Sequence, residues 1–426
     1  MLLKYHLEHE YNLNVRIESV RHLYWIDRLK PPVLVLTDTV NPSNITAGKY
    51  AVKRGVFVVT IQGEGIYNPT YGEDSLWGWN RDREVIEQLR LEWSERNRNF
   101  LIKYCPIYES RTVIVGAGRF DRYRIYRFKD RTQFLKQYGK SGYENVVAYA
   151  GYGFAVTNPK RRQNPLFLKH YTEDQLELVK QDRDQLKCWL NQIVRDFPKV
   201  LFIFKLHPGD DKVTTELVLD RSYPNVVFLK NEEKIEDLIN VSDLWLHYNS
   251  GSALEAWLLD KPTCAFVPND TSFQRKGYEK GGIQLKTYDD FAVTLSTFIN
   301  TNKLKGYEEL LPFRQQTIKK YIGWNDGFNS LRAAKTIAHL FKSQTFSSFR
   351  ATSLGQQFQH VKIHLVRNWL SRRGKLPKYD GFHKGVIKKT MNVYYPQITS
   401  FVEKHSTQYH QVLNEKLVGA EPFLPS

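Results

Sequence analysis

Cysteine is scarce in this chain: three residues in 426, Cys105, Cys188 and Cys264, with no metal-binding spacing and no even set for a disulfide framework. That scarcity argues against a small disulfide-stapled fold and fits a reducing compartment, so a cytoplasmic protein is expected. No stretch reaches the roughly eighteen consecutive apolar residues that a membrane-crossing helix needs. The first ten residues, Met1-Leu-Leu-Lys-Tyr-His-Leu-Glu-His-Glu10, carry early charge and none of the apolar core of a secretory signal. There is no internal repeat, no low-complexity tract and no Walker loop, and the Gly116-Ala-Gly118 turn is too short for a dinucleotide fingerprint. No Asp-x-Asp pair follows a strand convincingly; Asp210-Asp211 reads as an exposed turn. Metal-independent chemistry with no cofactor is therefore expected. Acidic residues are in the minority, 45 Asp and Glu against 62 Lys and Arg, for a formal charge of +17. Such a surface favours polyanions: nucleic acid, anionic lipid or phosphorylated substrates.

What is present is the composition of a globular protein: 41% hydrophobic and 14% aromatic residues, enough to fill the cores of two or three domains. Residues 1–30 read as helical and stop at Pro31-Pro32. Short, continuously apolar runs follow at Val33–Leu36, Gly55–Ile61 and Arg111–Val115, with helices expected over Asn41–Arg54 and Arg81–Asn97. A basic stretch, 119–140, carries eight Lys/Arg against two Asp. A second series then begins: strands at Asn145–Tyr149, Leu201–His207, Asn225–Phe228, Leu244–Leu246 and Pro262–Phe266, and helices over Glu173–Phe197, Ile235–Ile239 and from about Asn325 to Phe341. Strands buried on both faces and alternating with helices mean a parallel α/β architecture. The expected organisation is two doubly wound, Rossmann-like domains, 1–143 and 144–345. A basic, partly helical extension, 346–426, follows, where 351–426 holds eleven Lys/Arg against four acids.

The chemistry concentrates at strand ends. In Ser242-Asp-Leu-Trp-Leu-His-Tyr-Asn-Ser-Gly-Ser-Ala-Leu-Glu-Ala-Trp257 a buried strand hands over to a helix through Asn249, Ser250, Gly251 and Ser252. Backbone N–H groups, two hydroxyls and a helix N-terminus converging there would suit a phosphate, although Ser and Asn also serve as plain helix caps. Glu255, one turn on, could take a ribose hydroxyl or pair with a lysine. Lys205, His207 and Pro208 end another apolar strand. His207 could donate to a donor phosphate and stabilise a leaving nucleotide; Lys205 could reach the same phosphate or pair with solvent. Glu64, between Gly63 and Gly65, offers an exposed carboxylate suited to a general base. Asp38, at the end of the preceding strand, is a weaker candidate of the same kind, and Asp326 before Gly327 reads as a helix cap.

These motifs, in this order, resemble those of GT-B glycosyltransferases of bacterial surface carbohydrate (capsule and lipopolysaccharide) biosynthesis. The likeness rests on Lys30–Leu36, Gly55–Gly65, Val115–Asp121, Tyr149–Asn158, His207-Pro208 and Ser250-Gly251-Ser252, and spans about residues 15–340. Relatives that use CMP-activated acidic sugars such as Kdo or nonulosonic acids, and CDP-glycerol transferases, share this layout. The resemblance implies a metal-independent GT-B transferase with the nucleotide-sugar donor on the second domain and a glycan or glycolipid acceptor on the first. It also implies His207 as the donor-phosphate residue and places Asp326 near the nucleotide. The leading expectation is transfer from a CMP-linked acidic sugar, with peripheral contact to the inner face of an anionic membrane. The alternatives are a CDP-polyol phosphotransferase and, in another class, a nucleic-acid-binding or scaffold protein. Nucleic acid is not the expected partner, because no recognised module is present and the basic residues are not interleaved with aromatics.

Overall fold

The computed structural model describes residues 1–65, 67, 71–151, 154–157, 170–206, 219–220, 222–273, 275–373 and 384–419. Of residues 155, 156, 368, 371, 372 and 384–386 the backbone alone is described. By packing, the chain forms two compact units, Met1–Tyr126 with Lys319–Ser426, and Arg127–Ile318. This division differs from the sequence-based boundaries at 143/144 and 345/346: the segment beyond 345 belongs to the first unit and is not a separate extension.

The first unit holds a parallel sheet of β1 (Val33–Leu36), β2 (Phe57–Ile61), β3 (Leu89–Glu92) and β4 (Thr112–Ile114), in chain order. On one face Leu36, Val56 and Val58 pack against Ala51 and Ile26 from helices Pro42–Lys53 and Tyr24–Leu29. The first of these helices starts cleanly because Asn41 accepts the Asn44 N–H at 3.0 Å and Pro42 needs no donor at its position. On the other face Val59, Leu89, Leu91, Val113 and Val115 meet Ala333, Ala334, Ile337 and Leu340 of helix Asn329–Ser343. Each large aliphatic side chain so buried contributes roughly 1.5–3 kcal/mol. Gly116 follows β4 with φ +80°, and a Cβ there would sit 1.8 Å from Asn329 Oδ1, so backbone angle and space both require glycine.

Three expectations are corrected in this unit. Residues 1–30 are not one helix but two short ones, Leu2–His9 and Tyr24–Leu29. The expected charged helix over 81–97 is instead strand β3 followed by helix Glu95–Tyr104. Its charges misled because Glu87, Arg90 and Glu92 read as a solvated face, whereas all three are buried and Arg90 pairs with both carboxylates. The run Arg111–Val115 is consequently the fourth strand. The C-terminal helices Leu354–Arg372, Lys384–Lys404 and Ser406–Asn414 pack onto this unit. Ile398 meets Leu2, Tyr5 and Ile125, and Tyr409 and Val412 meet Phe328 and Leu331.

The second unit holds a six-stranded parallel sheet: β5 (Asn145–Gly151), β6 (Val200–Lys205), β7 (Val226–Leu229), β8 (Leu244–Tyr248), β9 (Thr263–Phe266) and β10 (Ile283–Leu285). Its spatial order is β10-β9-β8-β5-β6-β7. Counted from β5, that is the 3-2-1-4-5-6 order of a Rossmann sheet. Trp245, Val146, Ala148, Leu201 and Ile203 face helices Arg131–Gln137, Ile235–Val241 and Ser252–Leu258. On the opposite face Phe266 packs with Trp189 of helix Glu173–Asp196 and Phe291 of helix Tyr288–Thr301. The first of these helices opens on a Thr172/Gln175 capping box and buries Leu176, Val179, Leu186, Leu190 and Ile193 at helical spacing.

Candidate functional site

The chain runs from β5 outward through β6 and β7, then crosses back to β8 on the other side of β5. The two strands are paired in parallel, Gly151 opposite Tyr248. Connections leaving their carboxyl ends diverge to opposite sides, and in open α/β sheets that switch point is where ligands sit. The lip on the β5 side is Gly151. A Cβ at that position would lie 2.0 Å from the hydroxyl of buried Tyr149.

On the β8 side the strand passes into the turn Asn249-Ser250-Gly251. Asn249 has φ +45°, a left-handed backbone that asparagine tolerates better than most residues. Gly251 has an ordinary helical φ of −62°. Ser250 Oγ accepts the Ser252 N–H at 3.3 Å and lies 2.8 Å from Ser252 Oγ. Ser252 Oγ in turn takes the Trp245 indole N–H at 3.1 Å. A chain of hydrogen bonds thus runs from the core to Ser250, which is half-buried, while Ser252 and Glu255 are buried. Ser250 Oγ is the less buried of the two hydroxyls, and Ser252 fixes it. The helix that follows, Ser252–Leu258, is buried along its whole length and has only seven residues, so its dipole is modest.

A buried carboxylate braces this edge. Asp182, in helix Glu173–Asp196, accepts the Tyr248 hydroxyl at 2.6 Å, the Thr271 hydroxyl at 2.8 Å and the Asn269 amide at 2.8 Å. Arg275 stands 3.9 Å away. Burial and then the Asp182 charge push the Tyr248 phenol well above its usual range, so it remains a donor. Phe154 stacks on the Tyr248 ring at 4.4 Å. Sequence reasoning passed over Asp182, yet the signal was there: an acid at an apolar position of the stripe Leu176, Val179, Leu186. His247 was also passed over. It is fully buried, neither ring nitrogen has a hydrogen-bond partner among the described residues, and desolvation lowers its pKa to about 3, keeping it neutral.

The other sequence candidates are placed as follows. Lys205, half-buried at the end of β6, donates to the carbonyls of Lys230 and Glu233, and desolvation lowers its pKa; its described partners are backbone, not a ligand edge. His207 and Pro208 lie outside the described residues. Glu64 is exposed in the first unit, and no described residue donates a hydrogen bond to it. Asp38 accepts the N–H groups of Val40 and Asn41, both at 3.0 Å, and the Asn41 side-chain amide, holding the cap of the next helix. Asp326 accepts the Phe328 N–H and binds Arg332 through both terminal guanidinium nitrogens, at 3.0 and 2.7 Å; the expected cap is corrected, because the helix begins at Asn329 and its first N–H groups go to Asp121. No group of three or more His, Cys, Asp or Glu among the described residues is arranged to hold a metal ion. A cavity of about 760 Å³ opens at the amino-terminal edge of the second sheet, beside Tyr143, Asp196 and Lys199. It lies at strand starts, away from the switch point, and Asp196 is already engaged by the Tyr288 hydroxyl.

Asp121, buried in the first unit, accepts the N–H groups of Asn329 at 3.1 Å and Ser330 at 2.6 Å, tying down the start of helix Asn329–Ser343. Burial raises its pKa from 3.8 to about 7, although those N–H donors pull downward. The folded state therefore holds a proton that the unfolded chain has released. This group's contribution to stability is complete below pH 3.8 and is lost as pH rises through about 7. Denaturant titrations should show the stability difference between wild type and Asp121→Asn shrinking from pH 5 to pH 8. A difference independent of pH would contradict this.

No protein-family model and no curated protein sequence matches the chain. Solved structures do. A Staphylococcus aureus MnaA–UDP co-structure matches 78% of this chain and 82% of its own, with 14% identity and a TM-score of 0.49. The Neisseria meningitidis UDP-GlcNAc 2-epimerase bound to UDP-GlcNAc matches over 76% and 84%, with 15% identity and a TM-score of 0.46. Anabaena Alr3699/HepE in complex with UDP-glucose matches over 74% and 79%, with 14% identity and a TM-score of 0.43. The expectation of a CMP-dependent acidic-sugar transferase is corrected by these findings, which name UDP complexes and a UDP-sugar 2-epimerase. The physical reason for the error is plain. A strand–turn–helix of small polar residues suits a phosphate and carries no information about the base attached to it or the bond that breaks.

Proposed function

We propose that this chain is an enzyme acting on a nucleoside-diphosphate sugar, with the diphosphate held at the β5/β8 switch point of the second unit. The observation that carries the reading is the strand order, which puts the left-handed Asn249 turn and the Ser250–Ser252–Trp245 hydrogen-bond chain at the carboxyl edge where the connections diverge. The braced Tyr248 makes that edge rigid before any ligand arrives, which lowers the ordering cost of binding. The nucleoside, uridine, is taken from the ligands named in the matching structures, and conversion of a UDP-sugar, beginning with 2-epimerisation, is the first activity to assay. His207, outside the described residues, remains the proposed donor to the diphosphate.

Titration calorimetry with UDP tests the reading. Wild type should bind UDP, and Ser250→Asp, which places a carboxylate against the diphosphate, should bind at least about tenfold more weakly with its fold intact. Equal binding by Ser250→Asp and wild type would contradict the placement; no binding of UDP or UDP-GlcNAc by wild type would contradict the reading as a whole.

A further inference from the structure

Among the described residues, the helix Leu354–Arg372 packs on the first unit by one side. His360 Nδ1 lies 2.9 Å from Asp27, His364 Nδ1 lies 2.9 Å from His22 Nδ1, and His364 stacks on Tyr24 at 4.9 Å. Arg367 donates to the Arg21 carbonyl from the same side. At about 100° per residue, these three positions fall within roughly 60° of one another.

Leu354, Phe358, Leu365 and Trp369 fall within another arc of roughly 60°, well away from the first. They are 73%, 72%, 61% and 49% exposed. Val366 is exposed beside them. Isolated exposed apolar residues are ordinary, but a stripe of four along four turns of one helix is not. The charge on this helix has one sign: Lys362, Arg367 and Arg372, with no acid between Leu354 and Arg372. Lys362 is exposed next to the stripe, and the Arg373 guanidinium sits 4.2 Å over the Trp369 ring. Through Lys389 the sequence holds nine Lys/Arg against Asp380 alone, a local charge of +8.

We infer that this face of helix Leu354–Arg372 docks in the plane of an anionic lipid surface. Leu354, Phe358, Leu365 and Trp369 would enter the acyl boundary while Lys362 and Arg373 stay among the headgroups. An apolar stripe flanked by cations with no compensating acids fits this solvent boundary on both counts. A second copy of the chain fits it poorly, because like charges would be brought face to face. Nucleic acid would match the charge but leave Leu354, Phe358 and Leu365 uncovered. No helix among the described residues is long and apolar enough to cross a membrane, so the contact is peripheral. It is independent of the nucleotide site, which lies in the other unit.

The test is co-sedimentation of the full chain with vesicles at about 0.15 M salt. Vesicles of phosphatidylcholine containing about a quarter phosphatidylglycerol should pellet the protein at least about tenfold more effectively than phosphatidylcholine alone. The triple variant Phe358→Ser/Leu365→Ser/Trp369→Ser should lose at least about tenfold in binding while keeping its thermal midpoint, since these side chains are exposed. Lys362→Glu/Arg373→Glu should lose the preference for anionic vesicles. The inference is overturned by failure of the wild type to bind, by binding indifferent to lipid charge, or by a triple variant that binds as well as wild type. A dimer in solution that the triple variant abolishes would overturn it in favour of a second copy. Oligonucleotide binding that the triple variant retains, without vesicle binding by the wild type, would overturn it in favour of nucleic acid.

Discussion

Replacing Arg90 by methionine should cost the first unit about 4 kcal/mol, a drop in thermal midpoint of roughly 8–16 °C. Arg90 is 1% exposed at the middle of the sheet. Its Nε donates to Glu92 at 2.8 Å, Nη1 to Glu87 at 2.9 Å and Nη2 to the Tyr67 hydroxyl at 2.6 Å. Glu87 also accepts Thr39 and Tyr108, while Glu92 also accepts Tyr67 and Asn97. Burial works against the Arg90 charge, but Tyr67, Tyr108, Glu92 and Glu87 outweigh it and hold the pKa above even the usual arginine range. Removing the guanidinium strands two buried carboxyl groups at once. Lysine should not rescue it, because one ammonium cannot fill three directions of the planar fork. Adding Glu87→Gln and Glu92→Gln to Arg90→Met should recover much of the loss, since the penalty is uncompensated charge more than lost contact. Urea denaturation of the single and triple variants decides it. A single variant as stable as wild type, or a triple variant worse than the single, would contradict this account.

Asp182→Ala should cost the second unit about 3 kcal/mol and weaken UDP binding as well. The substitution leaves the donors of Tyr248, Thr271 and Asn269 without their acceptor and Arg275 without its countercharge. Tyr248 immediately precedes Asn249, so loosening its ring loosens the turn proposed to hold the diphosphate. Asp182→Asn keeps the volume and one acceptor oxygen and should cost about half as much. Thermal unfolding followed by calorimetry with UDP measures both effects. A destabilised Asp182→Ala that still binds UDP at wild-type affinity would show that the brace supports the fold and not the site.

The second sheet could be read almost strand by strand from the sequence, because runs such as Val200-Leu-Phe-Ile-Phe204 are buried on both faces and bounded by polar turns. The helix Glu173–Asp196 was equally clear from its apolar stripe. The strand β3 was hidden by the same Arg90 cluster whose removal is costly: local pattern reports charge, and only the tertiary structure shows that charge paired inside. The tail misled for a related reason. Its basic composition resembles a free extension, yet Ile398, Tyr409 and Val412 are spaced to bury against helices far away in sequence. At the candidate site, the turn was found by its small polar residues. Asp182, 67 positions before Asn249, could be placed there only by the fold. The nucleotide was misread, because the small polar residues Asn249–Ser252 suit a phosphate and carry no information about the base attached to it.

The most direct test of the account is hydrogen–deuterium exchange of the full chain with and without UDP. Slowed exchange concentrated at the end of β5 and across Tyr248–Leu258 is the expected result. Protection confined to the loops that follow the strands of the first sheet, or no change anywhere despite measurable binding, would contradict the placement of the diphosphate at the switch point of the second.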